Sequence, residues 1–143
     1  MAYCERLSEQ LAVVATIDPV AGATGAATTD IFSMALHRRA LFILSRGVGV
    51  AGITCAIQEN SALAFTAGTA TVLTRAAADT DVAAGQHLFE VTAEAMGAGM
   101  TELRGQFTSV ATDLYAVLVL ADVDRYPPAS DNDLPSVLSI QAV

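Results

Sequence analysis

Tryptophan is absent from this sequence, cysteine occurs twice, proline four times, and Lys and Arg together number seven. Each shortage removes a class of function. With no Trp, five Phe and three Tyr, the chain is poorly supplied with the aromatic platforms on which bases or sugar rings stack. A formal charge of −8 is the reverse of what phosphate neutralisation requires, so direct nucleic-acid binding is not expected. Cys4 and Cys55 stand far apart with no CxxC or Cys/His spacing and read as free thiols in a reducing compartment. No window of about 18 uncharged, predominantly large apolar residues offers a membrane span. Glu5 and Glu9 lie where a secretory leader would be basic, so no signal peptide is expected either.

What the sequence has in abundance is apolar character. Hydrophobic residues make up 53% of the chain and charged residues 15%, with a mean hydropathy of +0.49. A single domain of 143 residues buries roughly 68–70% of its unfolded surface, which is enough for a self-sufficient core. The remaining apolar surplus is assigned to contact with other protein.

The pattern along the chain has period two. In ELRGQFTS, Leu103, Gly105 and Phe107 alternate with Glu102, Arg104, Gln106 and Thr108. In GITCAIQ, Ile53, Cys55 and Ile57 alternate with Thr54, Ala56 and Gln58, and in HLFEVTAE, Phe89, Val91 and Ala93 alternate with Leu88, Glu90 and Thr92. DLYAVLVLADV is apolar on both faces, Leu114, Leu118 and Leu120 standing opposite Tyr115, Val117 and Val119, and RALFILSR is similar. A strand of that kind is central, or has its second face covered by something else. Turn signals fall between these runs, giving roughly one strand every 10–15 residues, the rhythm of an all-β fold. The expectation is an antiparallel β-sandwich or jelly-roll-like domain with extended N- and C-terminal arms. Residues 1–28 form the arm and lead strand, 29–125 the core, and 126–143 a proline-broken arm. The Ala-rich middle, 67–85, admits a short helix over Thr71–Ala78 in place of a strand, because alanine favours helix.

Candidate chemistry is thin. Gly47, Gly49 and Gly52 match the G-x-G-x-x-G spacing of a dinucleotide loop, the basis of a rival reading as a small nucleotide-binding enzyme using the Gly47–Gly52 loop. The next segment alternates as a strand, no acid stands about 20 residues on, and βαβ units are lacking, so a hairpin or connecting loop is the plainer reading. His37 and His87 lack partners at ligand spacing. Asp122, Asp124, Asp131 and Asp133 lack the glycine and the terminal Glu of a calcium loop. No catalytic residue, cofactor or metal is expected. His37, Arg38 and Arg39 form a small basic cluster that suits either a charged strand edge or an acidic patch on a neighbour.

Three segments carry a resemblance. The lead LAVVATIDP, the stretch RRALFILSRGVGVAG and the close LVLADVDRYPPASDNDLPSV resemble small structural proteins of tailed bacteriophages, encoded among the head genes and found in the virion. The resemblance implies a capsid decoration or cement protein, located in the virion head after synthesis in the host bacterial cytoplasm. Its implied partners are the major capsid protein and copies of itself, in a trimer or other symmetric cluster. A head–tail joining or tail protein is the alternative within the class.

Contact residues are expected at both ends. Leu11, Val13, Val14 and Ile17 suit a strand added to a neighbour's sheet or to the chain's own, and this arm is expected to order only in the assembled particle. Leu134, Val137, Leu138 and Ile140 follow the stiff Pro127–Pro128 spacer, which projects them away from the sandwich. They would bury on a neighbour or fold back on the chain's own core.

Overall fold

The computed structural model describes residues 11–21, 25–49, 52–61, 65, 70–75, 84–109 and 114–122. Among them the chain forms β1 (Leu11–Ala21), β2 (Gly25–Thr28), β3 (Phe32–Ser33), β4 (Arg39–Arg46), β5 (Ile53–Asn60), β6 (Ala70–Arg75), β7 (Gly85–Thr92), β8 (Glu102–Ser109) and β9 (Leu114–Asp122). Two single-turn 3-10 segments, Met34–Leu36 and Ala93–Ala95, interrupt the strands. The strands make two antiparallel sheets. One has the order β1-β9-β4-β7, and the other β2-β8-β5-β6 with β3 also paired to β8. The all-β, two-sheet sandwich expected from the alternation is what the chain contains.

Alternation decides which side chains meet between the sheets, since successive residues of a strand point to opposite faces. Phe42, Leu44, Val117, Val119, Phe89 and Val91 supply one inner face, and Ile53, Cys55, Ile57, Leu103 and Phe107 the other. Phe32 and Phe42 meet across the sandwich with ring centroids 6.0 Å apart, tilted by 46°. Gly105 makes room for this packing: a Cβ there would lie 2.6 Å from Cε2 of Phe107 and 3.2 Å from Cε1 of Phe42. Its amide donates to the buried Oγ1 of Thr29 at 2.9 Å, and the Thr29 amide donates back to the Gly105 carbonyl at 2.9 Å.

β1 belongs to the sandwich. It pairs antiparallel with β9 of its own chain, from Leu11 opposite Asp122 to Ala21 opposite Leu114. A bulge between Val13 and Ala15 sets Val14 and Ala15 together against the core, and a second falls between Ile17 and Val20, where Pro19 lacks an amide to donate. Among the described residues the sandwich begins with β1 at Leu11, and β2 at Gly25–Thr28 extends the other sheet. Leu11–Ala21 of the expected arm and lead strand is thus an edge strand paired within one chain, and residues 1–10 lie outside the described residues.

Two further expectations are resolved. β4 and β5 lie in different sheets, so the glycine-rich segment between them is a sheet-to-sheet connection and not a hairpin. Ile53–Asn60 after it is a strand, where a dinucleotide loop would open a helix. In the Ala-rich middle, Ala70–Arg75 is a strand paired with β5; it holds one alanine, and its Thr71, Val72 and Thr74 are β-branched and favour strand. The part of the helix alternative beyond Arg75, through Ala78, lies outside the described residues.

Candidate interaction surface

The two outward faces of the sandwich differ in kind. On the β8–β5 side, Arg104, Gln106 and Thr108 stand beside Gln58 and Thr54. Arg104 Nε donates to Gln58 Oε1 at 2.8 Å, Gln58 Nε2 donates to Gln106 Oε1 at 3.2 Å, and the Arg104 guanidinium lies 4.5 Å above the Phe65 ring. These half-buried polar side chains form a hydrogen-bonded ladder on the outward side of β5 and β8.

The outward face of the four-stranded sheet is aliphatic. The register aligns Val13, Leu120 and Leu41 in one row, ending at Glu90, and Thr16, Leu118, Ile43 and Leu88 in the next. Leu118 keeps 37% of its surface exposed, Leu114 55% and Leu88 62%, although β9 is central in the sheet. An antiparallel sheet with one solvated side ordinarily alternates hydrophobic-in with polar-out. Here the central strands β9 and β4 break that rule on the same side, and Leu11 and Val13 of β1 and Leu88 of β7 widen the patch.

One rim of this face is fixed by polar contacts. The carboxylate of Asp122, at the end of β9, accepts the Arg38 and Arg39 amides on Oδ1 at 2.7 and 2.8 Å. His37 Nδ1–H donates to the Asp122 carbonyl at 2.5 Å, since a carbonyl oxygen only accepts. The Arg39 guanidinium reaches Glu90 and Asp122, each at 3.9 Å, both weak surface pairs. Beside them a groove of about 210 Å³ opens between Leu11, Leu41, Leu120, Glu90 and Arg39.

The expected contact residues separate on this map. Leu11 and Val13 lie half-buried on the aliphatic face, and Arg38 and Arg39 are exposed at its rim. Val14 is turned into the core, Ile17 packs against it, and His37 is buried in the Asp122 clamp. These three are structural. Leu134, Val137, Leu138 and Ile140 lie outside the described residues. Leu41, Ile43, Leu118 and Leu120 join Leu11 and Val13 on this face, and their signal in the sequence is that DLYAVLVLADV and RALFILSR are apolar at both parities; Leu88 carries no such signal.

Among the described residues no group of three or more His, Cys, Asp and Glu is placed to hold a metal ion. Of the candidate calcium acids, Asp122 is engaged in the clamp, and Asp124, Asp131 and Asp133 lie outside the described residues. No described helix is long and apolar enough to cross a membrane. Comparison with protein-family models, with curated proteins and with solved structures found no match to this chain.

Proposed function

We propose that the chain is a noncatalytic structural protein of a tailed-bacteriophage virion, a decoration or cement protein that binds the head shell as a symmetric oligomer. The observation that carries this reading is the aliphatic outward face of the four-stranded sheet, set against the polar ladder on the opposite side. Isolated exposed leucines are ordinary, whereas a contiguous apolar patch marks a contact surface. Burying a Leu or Ile side chain of this face on a partner yields roughly 1.5–3 kcal/mol before ordering costs. One such contact between copies is therefore weak, and a symmetric oligomer that repeats it on the shell is held firmly. The resemblance of the three sequence segments to phage head proteins supplies the identity of the shell.

The test is co-sedimentation of purified, labelled protein with heads of the encoding phage that lack it. Saturable binding at symmetric positions, weakened at least tenfold by Leu118→Asp, is expected. Absence of binding overturns the proposal, and density confined to one vertex in particle images assigns the protein to the head–tail joint.

A further inference from the structure

We infer that the aliphatic face of the four-stranded sheet receives residues 134–143 of a second copy of this chain. The inference deepens the proposed function by naming the partner, and its test is separate from head binding.

The face and the segment fit in position, size and charge. The sequence continues beyond Asp122, the clamped residue at the face's rim, and reaches Leu134 twelve residues later. Twelve residues span up to about 40 Å, against a width of roughly 15 Å for a four-stranded sheet. A return to the chain's own face would require a full reversal next to the rim. The Pro127–Pro128 pair opposes that, since prolines hold the backbone extended. In an extended chain Leu134, Leu138 and Ile140 share one side, matching the rows of Leu and Ile that the sheet presents. Asp131 and Asp133 immediately precede them, and the rim carries the exposed Arg38 side chain beside Arg39, which pairs only weakly with Glu90 and Asp122.

Size favours the segment over a bare pairing of two faces. The face offers about seventeen outward positions, fewer than the 20–30 residues that each side of a standard interface contributes. A ten-residue segment laid on each face supplies the difference. The same contact, made reciprocally or around a ring, closes a symmetric oligomer.

The experiment is site-directed disulfide trapping in full-length protein with Cys4→Ser and Cys55→Ala. One preparation carries Leu118→Cys and the other, with a size tag, Leu138→Cys. Mixed and oxidised, they are expected to give mainly the face-to-segment heterodimer on a non-reducing gel. Predominant Leu118–Leu118 product would mean bare faces pair, and would overturn the inference. So would an intramolecular bridge in the Leu118→Cys, Leu138→Cys double variant that persists on hundredfold dilution, because the segment would then cover its own sheet. Failure to form any bridge, with circular dichroism unchanged, also overturns it. As a second readout, Leu138→Ser with Ile140→Ser should weaken self-association at least tenfold while leaving the fold intact; undiminished self-association counts against the inference. Heterodimer trapping without head binding would sustain the inference and sink the proposed function, and the reverse pattern would do the opposite.

Discussion

At Gly105 the core depends on a missing atom. A Cβ would meet the Phe107 ring at 2.6 Å, with Phe42 close behind, and neither ring has room to retreat in a sealed interior. Gly105→Ala is expected to destabilise the fold by about 1–3 kcal/mol, as overpacked cores do. Gly85→Ala is the control: nothing lies within 4 Å of its added Cβ, and chemical denaturation should find it near neutral. A second residue-scale effect concerns Tyr115. Burial raises its hydroxyl above the ordinary value of 10.0, so the folded state keeps this proton longer than the unfolded state does. The unfolded chain then binds fewer protons above pH about 10, and stability falls as pH rises through that range. Tyr115→Phe removes this contribution. Its unfolding midpoint should decline less steeply above pH 10 than that of the parent, and an unchanged slope would refute the assignment.

The strands divide by what they must hide. β5 and β8 alternate cleanly because one side meets the core and the other meets water, and their inward residues were legible from spacing alone. β4 and β9 carry apolar residues at both parities, a pattern that announces a second covered face without saying what covers it. β1 was harder to place. A strand with a free edge on its own sheet and one donated to a neighbour share the same sequence, and only the pairing with β9 distinguishes them. Its two bulges were invisible to a strict two-residue period, which is why Val14 was grouped with the contact residues when it points inward. Native-state hydrogen exchange on the unassembled protein should show protection across the β1 amides paired with β9. Exchange at random-coil rates over residues 11–17 would return this segment to the status of an arm. His37 was likewise unreadable, because its partner is a main-chain carbonyl 85 residues away.

For the molecule as a whole, the apolar surplus of the composition resolves into a place. Among the described residues its largest cluster lies on one outward face of one sheet, bordered by the Asp122 clamp, while β5 and β8 turn mainly polar side chains outward. Hiding that face from water takes another subunit, as proposed above. Sedimentation velocity of the full-length chain across a wide micromolar range tests this most directly, beside Leu118→Asp, a substitution at a position already open to solvent. The parent is predicted to sediment as a discrete symmetric oligomer. The variant should be monomeric with an unchanged circular dichroism spectrum, its association weakened at least tenfold. A parent that remains monomeric at every concentration, indistinguishable from the variant, would contradict the account.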